Sequence, residues 1–158
     1  MLEAALFLPV LFLLLIGMVE LARIAYTYFT LQKVMYALAR YLGTSQGVNF
    51  CDDSDPAVVA AKNYAITGAT DASGAPILAN LTADMIQVRV EQYNSAAGEL
   101  GVCACTPTGC DAAQGGPGPD FLVVSFPEGY PIQIRIPFMP LLDPIPLKPE
   151  IRLPYGGT

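Results

Sequence analysis

Residues 2–43 read LEAALFLPVLFLLLIGMVELARIAYTYFTLQKVMYALARYLG, and this stretch decides the fold. Within it, Ala4–Val19 is a run of sixteen uncharged residues, which as a helix would span about 24 Å. A bilayer core needs about 20 apolar residues, so this segment is a marginal membrane span. An isolated acid, Glu3, precedes the run, and Pro9 lies inside it, where the missing N–H should kink or locally melt the helix.

The helical pattern continues beyond the apolar run. Its apolar positions alternate spacings of three and four residues, and they are Leu21, Ile24, Tyr28, Leu31, Met35, Leu38 and Leu42. This periodicity predicts an amphipathic half over residues 21–42. Gly43 suits a left-handed cap at the helix end. We therefore predict one helix from about Leu2 to Leu42, roughly 60 Å long, within an N-terminal unit of residues 1–43.

Two other interpretations apply to the apolar segment: a cleaved secretory signal, or a single-pass anchor with a helical stalk. Against a signal, no basic residue precedes the run, no small-x-small cleavage site follows it at a suitable place, and the helical pattern does not break. Basic residues flank its C-terminal side at Arg23, Lys33 and Arg40, which would leave the following domain in the cytoplasm. The cysteines favour an oxidising compartment instead, so we expect a processed chain, or a numbering that begins after a basic leader.

Charge and composition narrow the functional classes. The net charge is −6 and there is no basic tract, which argues against nucleic acid as a partner. The chain has no histidine, the commonest general base and metal ligand. Asp52, Asp53 and Asp55 lack the glycine and terminal glutamate of an EF-hand loop, and we interpret them as a helix cap. We therefore expect no enzymatic activity, no cofactor and no metal.

Four cysteines, Cys51, Cys103, Cys105 and Cys110, all follow the apolar segment. An even count in a small chain favours disulfides formed outside the cytoplasm. The alternatives are reduced thiols or a four-thiolate metal site, although the spacing of Cys103 and Cys105 is not that of a zinc knuckle. A bond between those two would be strained, so we favour Cys105–Cys110 closing a turn and Cys51–Cys103 tying the helical part to the later domain.

Residues 44–158 are predicted to form the second unit, a disulfide-containing α+β head. Its helix is expected to begin at Asp55 and Pro56, as N-cap and first position, and to end at Gly68. Alternating apolar and polar residues predict a strand within residues 82–97.

Further strands complete a short antiparallel sheet. Residues 100–105 are the expected hairpin partner of the first strand, and residues 121–126 and 130–138 form two more. Eight prolines from Pro127 onward favour edge strands or extended runs, lying across the chain's own sheet or a neighbouring subunit. We expect this small sheet to pack on the C-terminal half of the long helix.

Two motifs now carry a family resemblance: EAALFLP over residues 3–9 and GMVELAR over residues 17–23. Together with the aliphatic run between them, they resemble the start of TadE-like proteins. These are pilin-like proteins of tight-adherence systems, within the type IV pilin superfamily. The likeness covers about the first quarter of the chain, and AAKNYAITG at residues 60–68 is similar to the segment that follows in the family.

The resemblance implies a type IV pilin-like α+β fold and a structural subunit. Its precursor would wait in the inner membrane, be cut by a prepilin peptidase, and be built by the pilus assembly machinery into an extracellular helical homopolymer for adhesion. Glu3 would neutralise the N-terminal amine of a neighbouring copy. This acid is usually the fifth mature residue in type IV pilins, so either two residues are missing from this numbering or the register differs.

The remaining alternatives concern the same residues. Glu3 could instead lie in water at the membrane edge, without a partner. Glu20 and Arg23 can pair within one helix, or between subunits at the edge of the apolar core. A bundle of like helices would satisfy the carbonyl that Pro9 leaves free. Two other functions stay open: a minor pseudopilin that primes or tips a filament of another pilin, and a membrane-anchored periplasmic binding module.

Overall fold

The long N-terminal helix dominates the computed structural model, which describes residues 2–95, 98–111, 114–134 and 143–156, with side chains from Phe7 onward. Helix α1, Leu2–Thr44, is continuous for 43 residues, about 65 Å. This confirms the predicted single helix. The predicted cap was wrong, because α1 runs through Gly43, and the nearby glycine with positive φ is Gly47 at 69°.

Side-chain hydroxyls end this helix in place of a left-handed glycine. The Thr44 hydroxyl donates to the carbonyls of Arg40 and Tyr41 at 3.2 and 3.1 Å, and the Ser45 hydroxyl donates to Tyr41 at 2.8 Å. These bonds satisfy carbonyls that the helix itself leaves without partners. The turn to positive φ is therefore delayed until Gly47.

The head covers only part of the predicted amphipathic stripe. Leu31, Met35, Leu38 and Leu42 are fully buried, whereas Leu21 is 68% exposed. The sheet and the second helix contact the C-terminal half of α1, so the first members of the stripe extend past the head. The periodicity identified the face of α1 that is buried, but it could not show at which residue the head begins to cover that face.

The second helix follows the predicted signals. Helix α2 spans Pro56–Thr67, with Asp55 as N-cap: its carboxylate accepts from Ala57 N at 2.8 Å. The cap glycine, Gly68, has a φ of 79° and donates from its N–H to the Tyr64 carbonyl. This arrangement seats the buried face of α2 against α1.

The described part of the head contains two antiparallel sheets. The strands of the larger sheet are β1 (Gln87–Asn94), β2 (Glu99–Val102), β3 (Phe121–Ser125) and β6 (Glu150–Pro154), in the order β2-β1-β3-β6. The smaller sheet pairs β4 (Tyr130–Ile132) with β5 (Ile145–Leu147). A short 3₁₀ helix, Ala83–Met85, precedes β1. The predicted α+β fold with a small antiparallel sheet is confirmed.

The strand boundaries differ from prediction in one place. The predicted strand over residues 130–138 ends at Ile132, and Ile134 lies outside any strand. Residues 135–138 lie outside the described residues. Pro131 faces Pro146 across β4 and β5, and two prolines without N–H groups leave this ladder short of hydrogen bonds.

The proline-rich tail supplies an edge strand. Strand β6 pairs antiparallel with β3, from Ser125 opposite Glu150 to Phe121 opposite Pro154. The tail therefore lies across the chain's own sheet, one of the two predicted outcomes. Proline is tolerated at Pro154 because this strand is the last of the sheet.

One core joins the sheet to both helices. Alternate residues of the sheet face inward, and they include Val88, Val90, Leu122, Val124 and Ile151. They belong to the same buried cluster as Leu31, Leu38 and Ala61 of the two helices. Burial of this apolar surface fixes the orientation of the head on α1.

Two ion pairs cover the outer face of the same sheet. Arg89 of β1 pairs with Glu150 at 3.2 Å, and Arg152 of β6 pairs with Glu91 at 2.8 Å. Each pair spans β3, whose Val123 stands in register between the two arginines and is only 1% exposed. The arginine stems therefore shield an outward-facing valine from water.

All four cysteines form disulfides, but the predicted pairing was wrong. The bonds are Cys51–Cys105 and Cys103–Cys110, with Cα separations of 5.6 and 5.7 Å. Strand geometry gives the reason. Cys103 N donates to Val90 O at 2.9 Å, which extends the β2 ladder and places the Cys103 side chain on the buried face.

The following turn then returns the chain to this buried face. Cys110 N donates to Ala104 O at 3.0 Å, which brings the buried Cys110 beside Cys103. Cys105 is exposed and lies past the strand, where it is bonded to Cys51. The Cys51–Cys105 bond thus ties the segment after α1 to the β1–β2 hairpin.

We predict unequal losses of stability when the two disulfides are removed. Cys51 and Cys105 are 54 residues apart in the sequence, so replacing both with serine should lower the unfolding free energy by about 4 kcal/mol. Replacing Cys103 and Cys110, which are 7 residues apart, with serine should lower the unfolding free energy by about 2.5 kcal/mol. Denaturant unfolding of the full chain in detergent measures both losses, and non-reducing peptide mapping checks the pairing. A mapped Cys105–Cys110 peptide would contradict the structure.

A second prediction concerns Tyr130, whose hydroxyl donates to Ala79 O at 2.6 Å. Burial raises the pKa of Tyr130 above its ordinary 10.0, and the charge of Arg23 opposes the rise. Its contribution to stability is therefore complete below the unfolded pKa and is lost as pH rises through the folded pKa. Tyr130→Phe should cost about 1 kcal/mol at neutral pH, with a difference that shrinks above pH 10.

Thermal unfolding across this pH range tests the prediction. Tyr93→Phe is the matched control, because Tyr93 is 55% exposed. This variant should change stability little, both at neutral pH and above pH 10. An equal loss from both variants would show that the buried hydrogen bond contributes nothing specific.

Candidate functional site

The apolar half of α1 is the candidate functional surface. Between Phe7 and Val19, ten large apolar side chains are exposed, with accessible fractions from 53% to 68%. Burying a side chain of this type releases about 1.5–3 kcal/mol. Because ten such side chains are exposed, an uncovered helix is strongly unfavourable in water. This surface therefore needs an apolar environment or partner that covers it.

The exposed residues point in every direction around the helix axis. Residues 10–15 are all exposed, and six successive positions cover more than one full turn at 3.6 residues per turn. A flat protein surface would cover one stripe of such a helix and leave the rest in water. Lipid, or several neighbouring helices, would cover all of it.

α1 is also long and apolar enough to cross a membrane. The helix qualifies from Phe7 onward, and none of its most apolar 18-residue window is buried by the rest of the chain. This distinguishes it from the core helix of a soluble domain, which has the same composition but is covered.

The assembly residues predicted from the sequence lie along this helix. Glu3 lies in the first turn of α1, and its side chain is outside the described part. Pro9 lies inside α1, which is continuous across it, so the local melting that we allowed for does not occur. Pro9 cannot donate to the carbonyl of residue 5, and a neighbouring molecule would have to satisfy that oxygen.

Glu20 and Arg23 lie at the junction between the two halves. Their charged groups approach to 3.7 Å, with the Glu20 side chain 17% exposed and that of Arg23 47% exposed. Glu20 Oε2 is buried and accepts no hydrogen bond from any residue that the structure describes. A buried acceptor without a donor is costly, so this carboxylate would gain from a donor outside the chain. Whether Glu20 and Arg23 also pair between subunits stays a prediction.

The acidic residues after Cys51 act in local structure. The Ser54 side chain and N–H donate to Asp52 Oδ1, at 2.5 and 2.9 Å, and they lower the pKa of Asp52. Asp53 lies 3.5 Å from Lys62, and Asp55 caps α2. Among the described residues, no group of three histidine, cysteine or acidic side chains could hold a metal ion.

Sequence reasoning missed a groove on the head. It has a volume of about 970 Å³ and lies between the C-terminal part of α1, Tyr64 of α2 and strand β6. Its wall includes Tyr36, Arg40, Tyr41 and Leu153. Three elements distant in sequence form it, so no local pattern could show it, although the tyrosines on α1 were a partial signal.

Comparison with known proteins locates the family likeness in α1. Residues 1–40 match the model of the family described as TadE-like protein. The resemblance predicted from the two sequence motifs is confirmed over these residues. No curated protein and no solved structure matches the chain. The match covers the exposed apolar half and most of the packed half of α1, and together with the apolar helix it fits a tight-adherence pilus-related protein.

We predict that a charge in the apolar half disrupts its association with membranes. Leu13 is 63% exposed at the middle of the segment, and Leu13→Asp should cost about 2.5–3.5 kcal/mol of insertion free energy. Alkaline extraction of membranes should then release the variant, while Leu13→Ile, the matched control, should be retained. Equal retention of both variants would show that this segment does not anchor the chain.

Proposed function

We propose that this protein is a structural pilin that polymerises through its apolar N-terminal helix into an extracellular type IV pilus-like filament, used for adhesion or surface attachment. The observation that carries the proposal is the contrast between the two halves of α1. One face of the C-terminal half, including Leu31, Leu38 and Leu42, is buried by the chain's own head, while the apolar half is exposed on all sides. A filament core made of such helices would cover the exposed half from several directions.

The N-terminal family match supports this proposal. The matched residues 1–40 are those that would form the filament core, whereas the head, which would face outward, lies outside the match. Under the proposal, the precursor resides in the inner membrane, a prepilin peptidase cuts it, and the pilus assembly machinery transfers it into the filament.

The disulfides support an extracellular location for the head. Two bonds among four cysteines leave no free thiol in the described structure. Disulfides persist in oxidising compartments and are rare in the cytoplasm. An extracellular head also fits the small sheet, since staples of this kind are common in small secreted domains.

Two observations fit other candidates equally well. Lipid covers an apolar helix as well as a bundle does, so a membrane-anchored periplasmic binding module would have the same α1. The family match covers 40 of the 158 residues and none of the head, so it fits equally a minor pseudopilin that primes or tips a filament of another pilin.

One experiment separates these candidates. Filaments sheared from cells are imaged by electron microscopy, and their polypeptides are quantified by mass spectrometry. A structural pilin should be the dominant polypeptide of a regular filament. A trace amount would favour the minor pseudopilin, and complete retention in the membrane fraction would favour the anchored module. Either result would overturn the proposal.

We further predict that Glu3 is required for assembly. An ion buried without a counter-charge costs several kcal/mol, so a neighbour's N-terminal amine would need this acid in the filament core. Glu3→Ala should lower filament yield by about tenfold or more, while the membrane pool keeps its disulfides and unfolding temperature. Glu128→Ala, at an exposed acid of the head, is the control and should assemble normally. A normal yield from Glu3→Ala would exclude this charge neutralisation.

A further inference from the structure

We infer that neighbouring heads make a head-to-tail contact, in which the β1–β2 hairpin of one copy seats in the groove beside β6 of the next. This inference rests on the proposed function, and it adds a second contact to the helix core. It follows from four features of the head: an apolar groove, a free strand edge, an exposed apolar hairpin at the opposite edge, and complementary charges.

The groove offers a largely apolar recess. It is lined by Tyr36, Arg40, Tyr41, Tyr64, Leu153 and neighbouring residues, in a volume of about 970 Å³. The rings of Tyr41 and Tyr64 lie 5.5 Å apart and join α1 to α2 along one wall. A recess of this size accommodates several side chains, and its tyrosines offer large apolar contact areas with polar tips.

One border of the groove is a strand edge. Leu153 and Pro154 of β6 line it, and β6 is the last strand in the order β2-β1-β3-β6. Its outer backbone groups have no strand partner within the described sheet. Such an edge is a template for an added strand, which contributes main-chain hydrogen bonds while the groove receives side chains.

The opposite edge of the sheet carries an exposed apolar surface. All four residues of β2 are exposed. The register pairs Tyr93 with Leu100 and Glu91 with Val102, so the three apolar side chains face the same side. Tyr93, Leu100 and Val102 are 55%, 39% and 67% exposed. Exposed apolar side chains clustered on one hairpin face are typical of a contact surface.

Charge favours the same pairing. Arg40 lies in the groove, and Glu99 lies at the start of β2. Both are exposed, and neither forms a salt bridge with a described residue. A cation in the recess and an acid on the hairpin would attract each other across the contact and fix its register.

The positions of the two surfaces determine how copies associate. The hairpin and the groove lie at opposite edges of one sheet, with β1 and β3 between them. A contact between different patches of identical chains is heterologous, and if its rotation does not close, it generates an open helical filament. A second copy of this chain therefore fits both surfaces, and each copy contacts two neighbours.

Photo-crosslinking in the assembled protein tests the contact directly. A photoreactive amino acid replaces Val102 in the full chain, expressed with its assembly machinery in a mixture of isotope-labelled and unlabelled copies. We expect crosslinks between copies, from Val102 to residues 36–44 or 153–156. The same photoreactive residue at Ile77, which is 56% exposed outside the hairpin, is the control and should not reach the groove.

Charge reversal tests the pairing independently. Arg40→Glu and Glu99→Arg should each lower filament yield by about fivefold or more, since attraction becomes like-charge repulsion. The double variant should restore the yield. Lys33→Glu and Asp84→Arg reverse exposed charges outside both surfaces and should assemble normally. Unchanged disulfides and unfolding temperature in the membrane pool show that each variant is folded.

The outcomes separate this inference from the proposed function. Two results overturn the head-to-tail contact and leave the structural pilin standing. In the first, this chain forms filaments but Val102 crosslinks outside the groove. In the second, the double charge-reversal variant does not regain the filament yield. Crosslinks from Val102 to a different protein overturn the contact as well. Absence of the chain from sheared filaments overturns both.

Discussion

The packing of the C-terminal half of α1 against the inner face of the sheet is the constraint on which the rest of the structure depends. Leu31, Met35, Leu38 and Leu42 have no exposed surface, and they share one buried cluster with both sheet and α2 residues. Because the helix is continuous, this packing also fixes the direction in which its apolar half leaves the head. A helix of about 65 Å held at one end presents ten large apolar side chains away from the head.

The head itself is small, and covalent and ionic contacts supplement its core. The Cys51–Cys105 bond ties the segment after α1 to the β1–β2 hairpin, so the hairpin keeps its position relative to the helix. On the outer face, two arginine–glutamate pairs cross β3 and cover Val123. The arginine side chains of these pairs are 42% and 50% exposed, so the pairs contribute little as charge interactions, and their effect comes mainly from the apolar stems that exclude water.

Under the proposed function, polymerisation requires different properties of the two units. The surface of the apolar half of α1 is apolar all around, which suits close packing but gives little directional information. The head has distinct surfaces at its two sheet edges, an apolar groove with Arg40 and an exposed hairpin with Glu99. A helix core would supply most of the association free energy, and contacts between heads would supply the register.

The sequence by itself determined the elements whose signals are local. The periodicity of α1, the Asp55-Pro56 start and Gly68 end of α2, and the alternation of β1 all depend on neighbouring residues. The tertiary structure decided what depends on distant partners. Strand alternation places the Cys103 side chain on the buried face, where it bonds to Cys110 and not to Cys51 as predicted. Side-chain hydroxyls end α1 in place of the predicted glycine cap. The extent of cover on α1 and the groove beside β6 also required the packed fold, because surfaces from three separate segments meet there.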